Sequence, residues 1–346
     1  MRCLVVCLCA ALTIYTHAGF AQDISAASVP AKEAGAAVSS LAPEAESQVE
    51  NWTELNAAKS GLDKSRIKAL VLGRSDFPEY TSELVRVEWR EGDPIDLYVM
   101  RPHGVAKPPV ILYLYSFPGD TDRFKVEAWG KSVTKGGFAA VGFVSALTGQ
   151  RYQMRPMREW FVSELQESLG TSTHDVQMIL DYLAGRGDVD AAKVGMLGDG
   201  SGGAIAILAA TADPRIAFVD ANNPWGDWPD WLKGSRVVPE SERAAYLKPE
   251  FLQKVSVLDP TKYLPHLAPG RIRIEQVAGD AMTPKDVQAK IAASAPSPGN
   301  IVQYPDASAQ VHVWMTQNWW LKERLRPVPA APTTAQVNQG LKASEH

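Results

Sequence analysis

An α/β fold, with a mostly parallel sheet flanked by helices, is what this sequence predicts. Three observations carry the prediction: short apolar runs recur along the chain, helix-periodic segments separate them, and a knot of glycines joins one run to an Ala/Ile/Leu-rich segment. Residues 84–89 alternate apolar and polar, turn at Glu91-Gly92-Asp93-Pro94 and resume over residues 95–100, the pattern of a β-hairpin at a sheet edge. Residues 109–115 and 138–144 are continuous apolar runs, as strands buried on both faces should be. Residues 193–197, 216–219 and 272–277 have the same character, and residues 301–304 make a last strand. Helical patterns occupy residues 123–134, 156–169, 175–183, 203–212 and 284–293. His174-Asp175 is expected to begin a helix and to be structural. No internal repeat is visible.

The two ends read differently from the middle. Residues 1–21 have the form of a secretory signal peptide: Arg2 supplies the charge, an apolar stretch follows, and Ala18-Gly19-Phe20-Ala21 offers small residues for cleavage. That stretch is too short to span a membrane. All three cysteines (Cys3, Cys7 and Cys9) lie within it, so the expected mature chain has no disulfide, thiolate metal site or cysteine nucleophile. An exported chain without cysteine suits a bacterial periplasm. Residues 22–50, rich in Ala, Ser, Glu and Pro, are expected to be a disordered leader, and residues 326–346 a disordered tail. Residues 51–325 are long enough for one large α/β domain. The formal net charge of −4 becomes about −5 once Arg2 is removed, and no basic run interleaves with aromatics. Nucleic acid is therefore not an expected partner.

The chemistry concentrates in Val194-Gly195-Met196-Leu197-Gly198-Asp199-Gly200-Ser201-Gly202-Gly203-Ala204-Ile205-Ala206. Glycine reaches backbone angles closed to other residues, so this is a tight strand-to-helix turn. Such turns serve two unrelated chemistries: a nucleophile at the apex of an elbow, or a pyrophosphate on a helix N-terminus. Gly198-x-Gly200-x-x-Gly203 matches the dinucleotide fingerprint, and Asp220 is expected to end the next strand at the spacing of a ribose-binding acid. Against that, several strands precede the motif and too few follow Asp220 to complete a doubly wound nucleotide domain.

The segment from Thr173 to Ala206 resembles the α/β-hydrolase superfamily, in its prolyl-oligopeptidase-like and dienelactone-hydrolase-like branches. The carrying residues are Asp181-Tyr182-Leu183, Gly187-Asp188-Val189-Asp190, Lys193-Val194-Gly195-Met196-Leu197 and the glycine knot. The likeness covers most of residues 84–325. An elbow needs small residues two before and two after its apex. Gly200 has Gly198 and Gly202 at those places, whereas centring on Ser201 gives Asp199 and Gly203. The resemblance therefore puts Gly200 at the nucleophile position and Ser201 one residue past it. It implies further that Asp280, before Thr283-Pro284, holds the place of the family's acid, and that His312, after the last strand and a polar loop, holds that of its base. Ser116-Phe117-Pro118-Gly119 stands where the oxyanion loop begins, with Phe117 as the donor.

Function divides accordingly. In one case the protein is an esterase- or peptidase-like serine hydrolase acting on a small-molecule ester or peptide. Ser201 is then a shifted nucleophile, His312 its base and Asp280 the group orienting the imidazole, with the N–H groups of Gly202 and Phe117 holding the oxyanion. In the other it is a non-catalytic relative that binds a ligand or partner in the same cleft. No metal or cofactor is expected in either. Asn222-Asn223-Pro224-Trp225-Gly226-Asp227-Trp228-Pro229-Asp230-Trp231 opens a stretch expected to form a short lid over residues 222–265. Trp225 and Trp228 are candidates for a pocket wall, with local packing of an irregular loop as the plainer alternative. Trp314, Trp319 and Trp320 have the spacing of a closing helix's buried face.

Overall fold

The computed structural model describes residues 50–63, 65, 67–115, 122–147, 164–316 and 319–326. The calls on the signal peptide, the leader before Glu50, Phe117 and the tail beyond Arg326 lie outside the described residues. The strands are β1 (Lys68–Asp76), β2 (Tyr80–Glu88), β3 (Ile95–Pro102), β4 (Pro109–Leu114), β5 (Ala139–Phe143), β6 (Asp190–Asp199), β7 (Ile216–Asn222), β8 (Ile272–Val277) and β9 (Ile301–Tyr304). Among the described residues they form one sheet in the order β1-β2-β3-β5-β4-β6-β7-β8-β9. From β5 to β9 all pairings are parallel, and β1, β2 and β3 add an antiparallel flank. The sheet is thus mostly parallel and helix-flanked, as the apolar runs predicted.

The expected hairpin forms, with Val87 opposite Ile95, but it is not the edge. β1 pairs outside it and is exposed along its whole length. With neither face buried, β1 has no apolar alternation to read, which is why the sequence hid it.

The helices are α1 (Glu127–Thr134), α2 (Leu165–Arg186), α3 (Ser201–Ala212), α4 (Trp228–Gly234), α5 (Glu240–Tyr246), α6 (Pro249–Val255), α7 (Pro260–Tyr263), α8 (Lys285–Ser294), α9 (Ala307–Thr316) and α10 (Trp320–Leu325). The patterns at residues 165–169 and 175–183 belong to one helix, α2. His174 therefore lies in mid-helix rather than beginning one, fully buried, with Nε2 2.5 Å from the Glu54 carbonyl and Nδ1 against Glu50. Glu50 also pairs with Arg90, which reaches Asp175, so the chain is already packed on α2 at residue 50. The stretch 222–265 is helical, because Pro229, Pro249 and Pro260 each open a short helix where a missing N–H costs nothing.

Strand alternation sorts the sheet into two faces. Leu112, Leu114, Val194, Met196, Val219, Ala221, Ile272 and Ile274 point to a core closed by α2, α3 and helices of the 222–265 stretch. Ile111, Tyr113, Leu197, Phe218 and the side chains of α1 and α10 form a smaller core on the other side.

Candidate functional site

The parallel strands end together, and the polar residues gather at that carboxyl edge, where ligands of open α/β sheets bind. Its centre is the turn from β6 into α3. Gly200 adopts φ 53° and ψ −110°, a left-handed conformation that an ordinary side chain resists. Its N–H donates to the Asn222 carbonyl (2.8 Å), and its own carbonyl accepts from Ala204 and Trp225 (3.1 Å each), so the turn is tied to α3 and to the chain after β7. The neighbouring glycines answer to packing. A Cβ on Gly198 would lie 2.2 Å from the Gly202 carbonyl oxygen, and one on Gly202 would lie 2.0 Å from that of Leu114. Only hydrogen fits at either place.

Ser201 is the first residue of α3 and has no solvent exposure. Asp280 follows β8 in a loop, where its carboxylate accepts from the amides of Met282 (2.7 Å) and Thr283 (3.4 Å). Thr283 in turn donates to the Asn223 carbonyl (2.8 Å), which holds the loop against the end of β7. His312 lies on an exposed stretch of α9; the expected polar loop after β9 is this helix, begun by Asp306 accepting from Ala309 N–H (2.8 Å). The structure therefore brings Ser201 and Asp280 to the same edge, with Ser201 inside the turn and His312 on a helix surface.

The residues that do converge at the turn were missed from sequence. Asp199, the last residue of β6, accepts from the Asn222 amide (2.8 Å). Burial raises its pKa to about 6; the Arg123 cation opposes the rise and the Asp280 charge adds to it. The Gln310 amide on α9 donates to Asn222 Oδ1 (2.7 Å) and to Glu275 Oε2 (2.8 Å), where the Trp314 indole N–H also donates (3.0 Å). Glu275 is pushed up to about 7, first by burial and next by the charge of Asp220, with Arg273 opposing. Arg273 bonds both acids, at 2.5 Å to each. One readable signal existed: polar residues alternate in β7 (Asp220, Asn222) and β8 (Arg273, Glu275), marking a polar stripe on one sheet face.

That stripe also bears on the dinucleotide fingerprint. β7 runs on to Asn222, so Asp220 does not end its strand, and it is buried against Arg273. A ribose hydroxyl would have to displace that pair. Trp225 and Trp228 are likewise in the core, without exposure, packed on Trp231 at ring-centroid distances of 4.5 and 5.7 Å. One pair is tilted by 36° and the other is edge-to-face at 86°, and the pocket-wall reading of Trp225 and Trp228 gives way to the plainer one of local packing.

Two solved structures share the architecture. Acetyl xylan esterase from Paenibacillus sp. R4 superposes with a TM-score of 0.54 at 17% identity, over 73% of this chain and 89% of that one. Acetyl xylan esterase 1 from Thermoanaerobacterium sp. JW/SL YS485 gives 0.52 at 16% identity, over 70% and 84%. This chain has the α/β-hydrolase fold. At such identity the likeness is one of fold. No family model and no curated protein sequence matches the chain.

In α/β-hydrolase terms, the β6–α3 turn occupies the elbow and the Asp280 loop follows the penultimate strand. Among the described residues, no group of three or more His, Cys, Asp or Glu is placed to hold a metal ion. No helix among them is long and apolar enough to cross a membrane.

Proposed function

We propose that this α/β-hydrolase-fold protein binds a small ester- or peptide-like molecule at the carboxyl edge of its sheet and forms no acyl-enzyme through its elbow. One observation carries the reading: the strained apex conformation belongs to Gly200, while the only hydroxyl in the turn, that of Ser201, is buried at the start of α3. In an elbow the apex side chain is the one delivered to the cleft, and here the apex has none. The hydrolytic alternative keeps one supporting observation, that Asp280 stands near enough to the turn for its charge to act on Asp199.

Labelling with a fluorophosphonate separates the two. The wild type is expected to stay unlabelled, and Gly200→Ser to gain both labelling and hydrolysis of p-nitrophenyl acetate. Strain at the positive φ should cost that variant about 1–3 kcal/mol of stability. Labelling of wild type that disappears in Ser201→Ala would overturn the proposal and establish a shifted nucleophile. Export belongs to the same proposal, on the strength of the charged, apolar and small-residue order of residues 1–21. A mature N-terminus at Gln22 in the purified exported protein is the expected result.

A further inference from the structure

Beside the elbow, between α1 on one side and α9 and α10 on the other, lies a cavity of about 690 Å³ that the elbow chemistry does not use. Its size is that of a small-molecule site. Aromatic rings make its walls: Tyr115, Trp129, Trp314 and Trp319, with the last two 6.0 Å apart and tilted by 32°. Two of the indole N–H groups are already committed, Trp129 to Tyr115 Oη (3.3 Å) and Trp314 to Glu275 (3.0 Å). What these indoles offer a ligand is therefore their faces. Beneath them Tyr113 packs edge-on against Trp129 (5.2 Å) and Trp319 (6.2 Å), fully buried, and its hydroxyl has no hydrogen-bond partner.

The charges around the cavity are of one sign. Arg123, Lys135, Lys322 and Arg326 line it, and among the described residues no carboxylate does. Arg123 covers the Tyr115 ring at 3.7 Å, and its charge acts on Asp199. Lys322 is 8% exposed, and its ammonium donates to the carbonyls of Ser132 (3.0 Å) and Lys135 (2.8 Å) at the end of α1. Those bonds cap the helix and use two of three N–H donors. Burial, with Lys135 and Arg326 nearby, brings its pKa down to about 8, and no acid among the described residues offsets it. Helix capping accounts for the two bonds but not for three further cations around an aromatic chamber.

We propose that this cavity binds an aromatic monocarboxylate, its ring against the indole faces and its carboxylate at Lys322. The cavity shares no lining residue with the elbow turn, so the proposal goes beyond the reading of the elbow and stands or falls separately from it. A flat ring gains area and dispersion from Trp, and the anion answers a cation that the protein leaves without a counter-charge.

Isothermal titration of the full-length protein with 2-naphthoate, 2-naphthamide and inorganic phosphate tests it. Naphthoate should saturate one site, with the neutral amide and the bare phosphate each about tenfold weaker or worse. Lys322→Met should lower naphthoate affinity about tenfold while leaving naphthamide unchanged. Because Lys322 also caps α1, Lys135→Gln at the exposed rim serves as a second variant, with a loss of about threefold that fades at high salt. Equal affinity for naphthoate and naphthamide, phosphate binding as tight as naphthoate, or no saturable binding overturns the proposal. Ser201-dependent fluorophosphonate labelling beside intact, Lys322-dependent naphthoate binding would remove the non-catalytic elbow and leave the cavity standing.

Discussion

The two faces of the sheet solve the burial problem in opposite ways. Under α3 the strands present apolar side chains: Val194, Met196, Val219, Ala221, Ile272 and Ile274 meet a helix of Ala, Ile and Leu. Even the three tryptophans of α4 and its approach are absorbed there, with the N–H groups of Trp228 and Trp231 buried and lacking an acceptor. On the reverse face, the same strands present Asp199, Asp220, Asn222, Arg273 and Glu275, and α9 answers with Gln310 and Trp314 rather than aliphatic side chains. A face that only had to stabilise the fold would gain nothing from two buried acids sharing one arginine. The difference separates two jobs: the apolar face holds the β6–α3 turn in place, and the polar face, with the aromatic cavity beside it, is where we propose that a ligand binds.

Substitutions can break or sharpen that contrast. Trp231→Ala should have the largest effect, about 3–5 kcal/mol of lost stability by denaturant titration, because its cavity opens in a close-packed layer. Trp231→Phe should cost much less, since it also removes a buried N–H that has no acceptor. Gly202→Ala, where the two faces meet at the elbow, should cost about 3 kcal/mol, as the new methyl and the Leu114 carbonyl cannot both keep their places.

Glu275→Gln tests the polar face through pH. Its carboxyl is held at about 7, above its ordinary value of 4.5, so the folded state binds the proton more tightly than the unfolded chain. Wild-type stability from this group is then fully present at low pH and is lost as pH rises through about 7. The glutamine variant does not ionise. It should match the wild type near about pH 4 and be more stable near about pH 8, by about 3 kcal/mol, read as thermal midpoints across the range. A constant difference at both pH values would show that the acid is not the titrating group. The smallest effect belongs to Val311→Ser at the exposed cavity wall, where stability should stay within about 0.5 kcal/mol while naphthoate affinity falls.

The sequence disclosed what burial dictates. β4 to β8 were legible because strands packed inside a sheet read as apolar runs, and the glycine spacing around Gly200 was legible because only close packing demands it. β1 was not, being solvated on both faces. α9 was not, because Ala307 to Gln310 carries no large apolar residue and its cap, Asp306, looks like any loop acid. The site was harder still. Asp199, Asn222, Glu275 and Gln310 come from four elements and act only through hydrogen bonds across them, a relation that no local pattern encodes. Arg123 and Lys322 carry meaning only from what surrounds them in space.

The crowding around Gly198 and Gly202 has a consequence for lineage. A methyl at either would collide with main-chain oxygen, so selection for folding alone preserves both glycines, whatever happens to the chemistry between them. The apex answers to a different demand, a positive φ that favours glycine and that a side chain meets at a cost. The frame of the turn is thus fixed by contact, and its tip by backbone angle.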